Sequence, residues 1–79
     1  MVMEAVKRES AHVSGVTNVD YDLIALLHNK LAGIAALEEY QLDAQAAGND
    51  QVRGLFKRLE QRAVEDVAEL KRALAGHLE

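Results

Sequence analysis

The feature that most constrains this chain is Gly48-Asn49-Asp50, a single break between two long proline-free stretches of helix-forming residues. Glycine suits the left-handed position that ends a helix, and Asn or Asp then accepts hydrogen bonds from the first free N–H groups of the next. A connection this short turns the chain back on itself and forces the flanking helices to run antiparallel. The pattern predicts a first helix over residues 20–47 and a second over 50–75, with Asn18 or Asp20 capping the first and Gly76 ending the second. Residues 1–19 form a mixed N-terminal arm, read as partly disordered or a short helix, and residues 20–79 the helical hairpin. The fold class expected is all-α, an antiparallel two-helix hairpin that dimerises into a four-helix bundle.

The dimer follows from size. Seventy-nine residues bury too small a share of their surface for a generous core, and the chain has no cysteine to staple it. Oligomerisation is the remaining aid for so small a domain. Alternation of three and four residues places Leu23, Ile24, Leu27, Leu31 and Ile34 on one face of the first helix, and the same line continues to Glu38, Gln41 and Gln45. Ala25, Asn29, Ala32 and Ala36, with Gly33 and Ala35 beside them, form a second, small face that lets another backbone come near. The second helix presents Val52, Leu55, Phe56, Leu59, Ala63, Val67, Leu70 and Leu74, and Gly54 within it hints at a close backbone approach. The residues expected to carry core and dimer packing are Leu23, Leu27, Leu31, Ile34, Phe56, Leu59, Leu70 and Leu74.

The equal rise of the two helices fixes a register, in which facing residues have numbers totalling about 97. Leu27 then meets Leu70, Leu31 lies near Val67, Ile34 near Ala63, Glu38 near Leu59 and His28 near Glu69. Three ion pairs follow: Asp43 with Arg53, Glu39 with Arg58, and Glu38 with Arg62. They fit the charge pattern, because the whole net charge of −4 falls on residues 20–48, while 49–79 balance six acids with six bases.

That acidic balance speaks against capture of nucleic acid, and no stretch approaches the roughly twenty apolar residues of a membrane helix. Without a signal peptide's apolar core near the N-terminus, a cytoplasmic location is the expectation. Leu78-Glu79 has the form of a remnant left by a tag, and nothing is built on it. Nucleophilic catalysis finds no support, since both serines lie in the arm with only His12 close by in sequence. A bundle can hold a metal between inward carboxylates, and Glu38, Glu60 and Asp66 are the candidate ligands for iron or another divalent ion at the dimer interface. No Glu-x-x-His spacing accompanies them, and His12, His28 and His77 share no ligand spacing. Arg53, Lys57, Arg58 and Arg62 form a basic cluster suited to an acidic partner, in competition with pairing to the acids of the first helix.

The run Tyr21-Asp22-Leu23-Ile24, Leu27-His28, Leu31-Ala32-Gly33, Tyr40, Asp43-Ala44, Gly48-Asn49-Asp50 and Leu55-Phe56 resembles short bacterial proteins of the ferritin-like superfamily, half-ferritin hairpins that dimerise to rebuild four helices. The resemblance covers about residues 20–75 and implies a ferritin-like bundle formed by a homodimer. The related encapsulated ferritins supply a Glu from the first helix and a Glu-x-x-His from the second. With Tyr40 set against their tyrosine, those ligand positions fall on Gly33, Ala63 and Asp66, and only Asp66 has a metal-binding side chain. The expected function is therefore a non-enzymatic self-associating module. A divergent iron-oxidising or iron-storage protein is the alternative, and an adaptor using the basic cluster is a third.

Overall fold

A computed structural model describes residues 17–78, with side chains from Thr17 to His77. These residues form two helices of 29 residues each, α1 (Asn18–Ala46) and α2 (Asp50–Leu78), and no strand. At 1.5 Å per residue each spans about 44 Å. Residues 1–16 of the N-terminal arm, His12 among them, lie outside the described residues, as does Glu79.

The turn is built as its residues dictate. Gly48 takes a φ of 69°, the left-handed conformation that costs a residue with a Cβ, and its N–H reaches Gln45 O at 3.0 Å. The Ala47 and Asn49 amides donate to Asp43 O and Ala44 O at 3.0 and 2.9 Å, so the last carbonyls of α1 are satisfied by the turn itself. Asn49 Oδ1 then accepts from Val52 N at 3.1 Å and starts α2.

Both far ends differ from the sequence expectation. α1 is capped by Thr17 rather than by Asn18 or Asp20, its hydroxyl accepting from Asp20 N at 3.1 Å. A hydroxyl one residue before the helix can curl back to the third free amide, and Asp20, already inside the first turn, is freed for another contact. α2 does not stop at Gly76 but continues to Leu78. Glycine within a helix weakens it without breaking it, and unlike Gly48, Gly76 keeps a negative φ.

The two helices meet along one line each. On α1 the buried or half-buried positions Asp20, Leu23, Leu27, Lys30, Ile34, Leu37, Gln41 and Ala44 alternate three and four residues apart, and on α2 they are answered by half-buried Val52, Phe56, Glu60, Ala63, Val67, Leu70 and Leu74. Three contacts set the register: Lys30 to Asp66, Asp20 to His77 and Tyr40 to Phe56. All three fall within a residue of the sequence-derived register. A fourth, Gln41 to Glu60, is displaced by one helical turn.

The inward line of α1 is nevertheless rotated from the expected one. Ile24, Leu31, Glu38 and Gln45 are exposed, while Lys30, Leu37 and Ala44 face the partner helix. The two lines lie one residue apart, and polar partners decide between them. Lys30 lays its stem across the seam and places Nζ 3.0 Å from Asp66 Oδ2, and Gln41 Nε2 donates to Glu60 Oε1 at 2.9 Å and to Leu37 O at 3.2 Å. Among the described residues no helix is long and apolar enough to cross a membrane.

Candidate interaction surface

Among the described residues each helix has a single neighbour, the other. Among the described residues Ala44 is the only buried apolar side chain, and nine large hydrophobic residues are exposed. Helical geometry sorts eight of them onto two sides of the hairpin, and the ninth, Val19, lies in the first turn of α1. Face I carries Leu26 and Tyr40 of α1, two heptads apart with Gly33 between them, and Leu55 and Leu59 of α2. Face II carries Ile24, Leu31 and Leu42 of α1 and Val64 of α2, with Leu42 65% exposed.

Two shallow grooves open on face I. One, of about 490 Å³, is lined by Leu26, Lys30, Asp66, Glu69, Leu70 and Ala73. The other, of about 330 Å³, lies near the turn between Tyr40, Ala44 and Ala47 on one side and Val52 and Phe56 on the other. Tyr40 and Phe56 stack at a tilt there, with ring centroids 5.8 Å apart and planes at 54°. A tilted pair sets the positive edge of one ring toward the negative face of the other, and it leaves Tyr40 47% exposed at the rim. On face II the opening between Gln41, Asp50, Arg53, Gly54 and Lys57 is smaller and polar.

Several expected contacts are not made. None of Asp43 with Arg53, Glu39 with Arg58, or Glu38 with Arg62 forms an ion pair among the described residues, where the cross-helix ion pairs are Lys30–Asp66 and Asp20–His77. Rotation of α1 explains this, since Glu38, Glu39 and Asp43 all point to solvent and long basic side chains gain little by following them. His28 is likewise exposed and makes no pair with Glu69. A Cβ added at Gly54 would meet only the Arg58 guanidinium at 3.6 Å, so among the described residues no other backbone comes close to that glycine.

The candidate ligands are distributed rather than gathered. Glu38 is exposed, Glu60 is bonded to Gln41, and Asp66 is bonded to Lys30 on the opposite side of α2. Among the described residues no three His, Asp or Glu side chains come together in an arrangement able to hold a metal ion. The basic cluster is also divided. Arg53 and Lys57 turn toward face II, where they line the polar opening, Arg62 lies toward face I beside Leu55, and Arg58 sits on the outer side of α2 with its guanidinium near Gly54. Of the expected packing residues, Leu23, Leu27, Ile34, Phe56, Leu70 and Leu74 are half-buried in the seam, whereas Leu31 and Leu59 are exposed on faces II and I.

Sequence reading missed the contact that closes the open end. Asp20 is 7% exposed, and its Oδ1 lies 3.3 Å from His77 Nδ1. The approach has the distance of an ion pair but not the alignment of a hydrogen bond, so Asp20 Oδ1 has no hydrogen-bond donor. The register relation alone pairs positions 20 and 77, and was the available signal.

Comparison with known proteins gave no match to a family model, a curated protein or a solved structure.

Proposed function

We propose that this chain is a self-associating helical module, two hairpins stacking into a ferritin-like four-helix bundle with a structural or interaction role rather than an enzymatic one. The observation that carries this reading is the exposed apolar surface: nine large hydrophobic residues in the open against one buried alanine among the described residues. A layer of two helices has no second layer to bury its apolar sides, and a second hairpin supplies one.

Magnitudes favour a dimer of moderate affinity. Complete burial of a large apolar side chain stabilises by roughly 1.5–3 kcal/mol, so covering the exposed half of those on one face in both copies gives on the order of 10 kcal/mol. Association costs about 4–15 kcal/mol, so at most roughly 6 kcal/mol remains and the dissociation constant falls in the tens of micromolar or weaker rather than the picomolar. Light scattering on the full chain between about 1 and 100 µM is expected to show the dimer mass, with dissociation at the dilute end. A fully helical monomer throughout that range would overturn the reading.

A further inference from the structure

Face I carries a pattern that specifies how a second copy would sit on it. Resting on the reading of the chain as self-associating, we propose that two copies meet face I to face I about a twofold axis that crosses α1 at Gly33 and α2 beside Ala63 and Val64. Each helix then packs antiparallel to its own copy.

On α2 the pattern is one of charge. Along the edge where face I passes into the outer side of α2 run Leu55, Arg58, Arg62, Glu65 and Glu69, stepping by three and four residues, and all five are exposed. None of the four charged side chains is in an ion pair among the described residues. Read along the helix, the charges run plus, plus, minus, minus. A helix with that order is complementary to itself when turned end for end: Arg58 comes over Glu69 of the second copy and Arg62 over Glu65, with both pairs repeated by the symmetry. The two pairs share one midpoint, between residues 63 and 64.

On α1 the pattern is one of size. Leu26 and Tyr40 are equally spaced about Gly33, and end-for-end turning sets Tyr40 of one copy over Leu26 of the other while Gly33 meets Gly33. Nothing among the described residues requires glycine at that position, because a Cβ built there meets none of their atoms within 4 Å. A glycine open to face I, with Ala32 and Ala36 close by, lets the two α1 backbones approach where they cross.

The midpoint set by charge on α2 and the one set by size on α1 are independent, and the hairpin brings them to one level. In the register fixed by Lys30–Asp66, Asp20–His77 and Tyr40–Phe56, Gly33 lies level with Val64. One axis therefore serves both helices. The same axis exchanges the two grooves, bringing the exposed Tyr40 ring of one copy over the opening lined by Leu26, Leu70 and Ala73 in the other.

The full chain has no cysteine, so a single introduced thiol crosslinks only to its own copy. Under mild oxidation Gly33→Cys is expected to give a covalent dimer, since a disulfide requires Cα atoms within about 7 Å, while Leu31→Cys on face II stays uncrosslinked. Two charge variants provide a readout that leaves the apolar surface untouched. Arg58→Glu with Arg62→Glu, and separately Glu65→Lys with Glu69→Lys, are each expected to weaken the dimer about tenfold or more, and an equimolar mixture to restore it as a heterodimer. A wild-type chain that stays monomeric overturns self-association and this arrangement together. A wild-type dimer that both charge variants reproduce at unchanged affinity, that is not restored by mixing, or that crosslinks through Leu31→Cys instead overturns the axis and leaves self-association standing.

Discussion

The two ends of the hairpin are closed by different means. At the turn the chain connects the helices covalently, and the adjoining layer is apolar: buried Ala44, half-buried Val52, and the Tyr40–Phe56 ring pair. At the open end there is no connection, and the contact that reaches across is polar, the buried Asp20 carboxylate against a half-exposed His77. Short tethering makes apolar packing easy to hold, because the chain entropy of bringing the helices together has already been lost there. The open end must hold the start of α1 to the end of α2 without such a tether, and a buried carboxylate whose Oδ1 has no hydrogen-bond donor is a weak way to do so. The turn end is therefore expected to be the firm half of the molecule and the open end the one that frays.

The largest test of that contrast is Phe56→Ala. Full burial of a phenylalanine makes its loss worth 3–5 kcal/mol, and Phe56 is half-buried, so roughly 2 kcal/mol is expected from urea denaturation at fixed protein concentration. A loss below about 0.5 kcal/mol would mean that the ring pair is a surface contact and the turn end no firmer than the other.

Gly48→Ala comes next. At a φ of 69° a Cβ crowds the following carbonyl, and about 1 kcal/mol of destabilisation is expected, with Gly48→Asn milder because asparagine tolerates that conformation. Alanine and asparagine behaving alike would show that the turn relaxes out of the left-handed region. Thr17→Ala is the matching change at the open end, where loss of the 3.1 Å bond to Asp20 N is expected to cost about 1 kcal/mol if α1 is fully formed there. An effect close to zero, with hydrogen exchange near Asp20 already fast in the parent, would show that the first turn frays before the cap matters.

These expectations also mark where the sequence is informative. The turn was legible because its chemistry is local: Gly48, Asn49 and Asp50 have preferences that hold whatever surrounds them. The register was legible because helical rise is a constant. Rotation of α1 about its own axis was not, since the lines through Ile24 and Leu31 and through Leu23 and Lys30 are separated by one residue and are equally periodic. Choosing between them depends on whether Lys30 and Gln41 find Asp66 and Glu60 across the seam, a question about two helices at once. The same rotation turned Glu38 outward, whereas the basic cluster is divided by the geometry of α2 itself. Neighbours in sequence on a helix are not neighbours in facing, and residues 57 and 58 differ by about 100° around the axis.

The smallest effect expected is at the Asp20–His77 contact, and it is the most informative about the open end. Single changes there mix several contributions, because removing His77 leaves the carboxylate buried alone and removing Asp20 relieves a desolvation cost while also taking a negative charge from the helix start. A double-mutant cycle through Asp20→Ala and His77→Ala cancels these and leaves the coupling. With the imidazole half-exposed and no aligned hydrogen bond, that coupling is expected to be roughly 0.5 kcal/mol. A value above about 2 kcal/mol would make the pair a true clasp and erase the difference between the ends. A value indistinguishable from zero would leave Leu23 and Leu74, the half-buried pair closest to it along the seam, as what keeps the open end together, and would turn Asp20 into a buried charge that the fold tolerates rather than uses.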